Sequence, residues 1–190
     1  GLSLVAATPL IFDVASVFEQ DGDAFDDPFD AAEDWDTLYA PGANDGGTPI
    51  AFTGVVPDHC GLQSCEVAFI FNSRDDMDLP QWTLDHTLVP DKHEIWDAYA
   101  ALYRDAGTNH LVAPFGLDRY DSSQEPFVGF WFLQGPVAYD DATPSLTGSH
   151  VVGDLLVHAG PMLPAGGPTP FAVFRWVGSG GGARAGRCRR

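Results

Sequence analysis

Phe127-Val-Gly-Phe-Trp-Phe-Leu133, followed by Gln134-Gly-Pro136, is the stretch that sets the fold class of this chain. Seven consecutive apolar residues are too few to span a bilayer, and a run this rich in aromatic side chains suits a β-strand covered on both faces. It reads as the central strand of a sandwich. On either side lie further short apolar runs: Ile50 to Val56, Glu66 to Phe71, Leu111 to Phe115, His150 to Val157 and Phe171 to Val177. Pro, Gly, Asn and Asp separate them, with 21 Gly and 15 Pro in 190 residues, so strands joined by turns are expected rather than long helices. The expected fold is all-β, an antiparallel β-sandwich with at most one short helix.

Two stretches qualify that picture. Asp91-Lys-His-Glu94 follows Pro90 and places an acid three residues after a capping oxygen, which predicts a helical turn near 91–97 leading into a strand. Asp154 sits inside an apolar run, so it needs a strand-edge position or a hydrogen-bonding partner, because an unpaired buried carboxylate would be neutralised. Trp35, Leu38 and Tyr39 are expected core contacts. Residues 1–17 form an apolar N-terminal strand segment, 18–178 the sandwich, and 179–190 a Gly/Arg-rich flexible tail.

Charge narrows the function. Acids outnumber bases 27 to 9, and Arg184, Arg187, Arg189 and Arg190 all fall in the tail. A body this acidic repels nucleic acid and anionic membranes, both of which call for a basic footprint. No run of ~18 apolar residues predicts membrane insertion, and an exported chain would already have lost its leader.

Among the acids, Asp21, Asp23, Asp26 and Asp27 alternate with Gly22 and Pro28 and could offer hard oxygen ligands to Ca2+ on a turning backbone. The spacing is not that of an EF-hand, and a solvated acidic loop is the alternative. Cys60 and Cys65 are close enough for a short disulfide, while zinc would want more ligands than His59 adds. His93-Glu-Ile-Trp-Asp97 lacks the second histidine of a zinc-protease helix, and no serine-nucleophile elbow is present. No catalytic residue is expected.

The assembled motifs resemble an uncharacterised β-sandwich module of bacterial secreted and cell-surface proteins. The likeness is carried by Phe18-Glu-Gln-Asp-Gly22, Asp34-Trp35, Ser73 to Asp78 with Arg74 in place of lysine, and Val89 to Ile95. It continues through Ala98-Tyr-Ala100, Phe115 to Arg119, Gly129 to Gln134 and His150 to Val157. It covers residues 18–178 and implies a jelly-roll-like β-sandwich, an extracellular, cell-surface address and no established activity.

Residues 1–17 lie outside that pattern. This predicts a structural, fibril-forming subunit that assembles with copies of itself, Leu10, Ile11, Phe12, Val14 and Val17 adding a strand to a neighbour's sheet edge. The alternative is a calcium-dependent carbohydrate-binding or adhesion module, with Trp82, Trp96 and Tyr120 as glycan contacts, although a Trp more often serves the core.

Overall fold

A computed structural model of the chain describes residues 2–6, 17–19, 32, 34–39, 49–58, 66–70, 75–121, 127–160 and 171–178. The fold is all-β, with antiparallel pairing throughout. In chain order the elements are β1 (Leu2–Ala6), α1 (Trp35–Tyr39), β2 (Ala51–Phe52), β3 (Val56–Pro57) and β4 (Val67–Phe69). A 3₁₀ turn (Leu79–Gln81), β5 (Leu84–His86), β6 (Ile95–Arg104), β7 (Leu111–Val112) and β8 (Phe115–Arg119) follow. β9 (Val128–Phe132), β10 (Ala138–Asp140), β11 (Ser145–Thr147), β12 (Leu155–Ala159) and β13 (Phe171–Trp176) complete the series. Two compact units are interleaved in sequence: residues 1–10, 60–94 and 121–190 form one, and residues 11–59 and 95–120 the other.

The second unit is built on β6, which pairs with β2, β3, β7 and β8. The helical turn expected near 91–97 is instead a hydrogen-bonded turn at residues 91–93, His93 N–H donating to the Pro90 carbonyl, and the strand begins at Ile95. The run Ile50 to Val56 does not form one strand: Gly54, at φ 71°, breaks it into β2 and β3, since a left-handed residue cannot continue a pleat. Val17, Phe18, Ala101 and Tyr103 form the core, with Trp35, Leu38, Phe52 and Val112 packed against it.

Short aromatic contacts bind this core. The Phe18 and Trp35 rings lie 4.6 Å apart, and Trp35 meets Tyr99 edge-on at 4.5 Å. Asp34 accepts the Trp35 backbone N–H and so starts the single turn of α1 that delivers Trp35 to the core. Gly116 of β8 lies under the Tyr99 ring, where a Cβ would come within 2.6 Å of ring carbon Cε2.

In the first unit a four-stranded sheet runs in the order β1-β13-β12-β9. β9 holds the apolar stretch expected at the centre, yet it stands at one end of that order. Its hydrophobicity reflects coverage of its faces, with Phe130, Trp131 and Phe132 all at least partly buried, and not a central place in the sheet. β1 closes the other end, Leu2 lying opposite Trp176 and Leu4 opposite Phe174.

The N-terminal segment therefore contributes to this chain's own fold at both ends. Leu2–Ala6 completes a sheet, and Val17, only 6% exposed, sits in the core of the second unit. This corrects the assignment of Val17 to a neighbour's sheet: an apolar side chain adjoining Phe18 gains more from the core beside it. Leu10, Ile11, Phe12 and Val14 lie outside the described residues.

Candidate functional site

One face of the four-stranded sheet carries the site. Side chains two residues apart share a face, and Leu156 pairs with Trp131, His158 with Gly129 and Leu156 with Phe174. Gly129, Trp131, Leu156, His158, Phe174 and Trp176 therefore project from the same side. Toward one end the bulky residues enclose His150; toward the other, Gly129 leaves a gap opposite His158.

The enclosed end is a polar knot in an aromatic wrapping. The His150 ring lies 4.2 Å from Trp131, 4.5 Å from Trp176 and 5.8 Å from Trp82, centroid to centroid. Its Nδ1 is 3.1 Å from Asp154 Oδ2, and that carboxylate also accepts the backbone N–H groups of Gln134 and Val151, each at 2.9 Å, and Gln134 Nε2 at 3.2 Å. The partner expected for Asp154 is thus a set of donors from two loops.

Burial is the largest influence on the Asp154 carboxyl and opposes its charge. The hydrogen bonds from Gln134, Val151 and His150 together outweigh it and hold the group below its ordinary value. Gly153, at φ 109°, shapes the turn that lets His150 and Asp154 meet, and Gln134 Nε2 occupies the place a Cβ would need. Asp78 adds a further tie: its Oδ1 caps the 3₁₀ turn through Leu79 N–H and accepts the His150 backbone N–H at 2.8 Å. Among the described residues, His150 Nε2 and Trp131 Nε1 are buried without hydrogen-bond partners.

Beyond this knot the gap opens as a cleft of about 310 Å³, lined by Phe69, Asp75, Trp82, Gly129, Trp131, Leu156 and His158. Phe69 comes from the β4–β5 hairpin and stands perpendicular to Trp82, ring centroids 5.1 Å apart. Trp82 follows the 3₁₀ turn, and its position is fixed by the Asp78 cap and by Trp131 at 6.2 Å. Two indoles, a phenyl ring, a carboxylate and an imidazole in one concave space suit a small polar ligand with an apolar face. The buried Asp154–His150 pair lies behind the tryptophans, and its side-chain hydrogen bonds among the described residues run to each other, to backbone N–H groups and to the Gln134 amide.

The three aromatic residues anticipated as glycan contacts separate. Trp82 lines this cleft in the first unit. Trp96 and Tyr120 belong to the second, where they stack on each other at 5.3 Å and 7° as neighbours on β6 and the end of β8, 44% and 50% exposed. Each commits one ring face to the other, which describes a cross-strand lock.

Trp131, Asp75 and His158 were not singled out by the sequence. Asp21, Asp23, Asp26, Asp27, Cys60 and Cys65 lie outside the described residues. Among the described residues no group of three or more His, Cys, Asp or Glu side chains is arranged to hold a metal. Nor does any described helix have the length and apolarity to cross a membrane.

With fold and site in view, the class is that of an all-β antiparallel protein with an aromatic cleft on one sheet. No protein family, curated protein or solved structure matches the chain.

Proposed function

We propose that this protein is a non-catalytic extracellular module that binds carbohydrate in the Trp82–Trp131 cleft. The observation that carries the reading is the lining itself. Indole and phenyl faces stack on the apolar faces of sugar rings, while Asp75 accepts from hydroxyls and the His158 ring can pair with them. The motif likeness to bacterial surface modules supports the extracellular setting. Affinity electrophoresis through gels containing soluble glucans, xylans or chitosans tests it: Trp82→Ala should abolish retardation and Trp96→Ala should not. Equal retardation of both variants would contradict it.

Calcium enters as the proposed ligand of Asp21, Asp23, Asp26 and Asp27. Carbohydrate binding that persists unchanged in excess chelator would remove it.

A second reading, self-association by strand addition, is favoured by the place of β1. A five-residue strand at the end of a sheet can be exchanged with the same strand of another copy without disturbing β13, β12 or β9. Deleting residues 1–8 removes β1 and spares Val17. Loss of an oligomer on sizing would support exchange, and an unchanged assembly state would end it.

A further inference from the structure

Resting on the carbohydrate reading of the cleft, we propose that its ligand is an amino sugar carrying a free ammonium group rather than a neutral or acidic sugar. Three features converge on a cation. First, Trp82 and Trp131 present two indoles, whose negative faces attract cations more strongly than other aromatic rings do, and Phe69 adds a third ring at the same opening. Second, Asp75 places a carboxylate at the same lining, so a positive group in the cleft meets aromatic faces and an anion together.

Third, the chain has a formal net charge of −18, which raises the local concentration of cations and repels uronic acids before any contact forms. The size agrees. About 310 Å³ is near the lower end of small-ligand sites, roughly 300–1,000 Å³, which fits one or two sugar residues and not a buried polymer. Sugar hydroxyls would meet His158, stacked and held by Phe127 at 5.8 Å, while the amine points to Asp75.

Calorimetric titration of the full chain at pH 6, where the amine is charged, separates the claims. The probes are a fully deacetylated glucosamine trimer, the same trimer fully N-acetylated, and cellotriose. The deacetylated trimer should bind about tenfold tighter than either of the others, the combined worth of one cation–π contact and one exposed ion pair. Asp75→Asn, a change on an exposed residue, should cut that advantage to about threefold, the part left to the cation–π contact, read as the ratio of the deacetylated-trimer and cellotriose affinities. Equal binding of all three trimers, insensitive to Asp75→Asn, would overturn the ammonium assignment and leave the carbohydrate cleft standing. No binding of any trimer would overturn both. Tight binding of the deacetylated trimer that survives Trp82→Ala would show adsorption to an acidic surface and overturn the assignment equally.

Discussion

Asp154 and His150 form a buried pair in which Oδ2 and Nδ1 lie 3.1 Å apart, with side-chain exposures of 1% and 0%. The pair links the β11–β12 loop to Gln134 after β9, and its aromatic wrapping supplies two of the cleft's walls. Replacing Asp154 with Ala leaves the N–H groups of Gln134 and Val151 and the His150 ring without their acceptor in a buried place. A loss on the order of 3–5 kcal/mol is expected, read as a lower urea midpoint with an unchanged slope. A loss below about 1 kcal/mol would mean the knot is not a fixed part of the fold.

The same carboxylate sets the acid limit of stability. Its folded pKa lies below its ordinary value of 3.8, so the unfolded chain binds the proton more readily. The resulting stabilisation is fully present above about pH 4–5 and disappears as pH falls through the lower, folded value. Asp105 and Asp140, held down chiefly by the Thr108 and Thr143 hydroxyls, act in the same direction. Urea midpoints measured from pH 7 to pH 2.5 should be level at first and then drop on the acid side of pH 4. Asp154→Asn should flatten that drop.

Two glycines separate stability from binding. Gly153→Ala forces a side chain into a left-handed backbone at φ 109° and displaces the Gln134 amide from Asp154 and Val152; a cost of about 1–3 kcal/mol is expected from thermal or urea unfolding. Gly129→Val is different in kind. Its Cβ would meet Leu156 and His158 at ordinary contact distances of 3.4 and 3.6 Å, and a β-branched residue suits a strand. The variant should fold normally and bind no sugar, because the added methyls fill the gap that makes the cleft. Retained binding at full affinity would place the ligand elsewhere.

In unit two, Gly116→Ala tests whether Tyr99 is fixed. The new methyl would overlap the ring, which cannot swing away without leaving Trp35, so about 1–3 kcal/mol of stability should be lost. Near-UV circular dichroism would register the displaced aromatic pair. An unchanged spectrum and midpoint would show that Tyr99 has room to move.

The residues explain what could be read in advance. Short apolar runs separated by turn residues announced an antiparallel β protein; β9, β12 and β13 fall within or close to the runs that suggested them, and β6 is the strand expected after the turn near 91–97. Apolar run length reports how many faces are covered, so Phe127 to Leu133 gave no indication that β9 ends its sheet. Gly54 looked like one residue inside a strand until its positive φ divided it. For the site, Asp154 declared a need for partners without naming them, since Gln134 lies 20 residues away, and His150, four residues away, is tied to Asp78 at a separation of 72. Trp131 was hidden among Phe130 and Phe132, and only the register Leu156–Trp131 and His158–Gly129 brings it to the face that Trp82 covers.

The chain has five tryptophans, Trp35, Trp82, Trp96, Trp131 and Trp176, and their indole N–H resonances in a ¹⁵N-labelled sample observe the cleft directly. Titration with the deacetylated glucosamine trimer should shift the Trp82 and Trp131 signals in step with occupancy and leave those of Trp35 and Trp96 in place. Shifts confined to Trp96, or five unmoved signals at millimolar sugar, would contradict a carbohydrate site on this sheet.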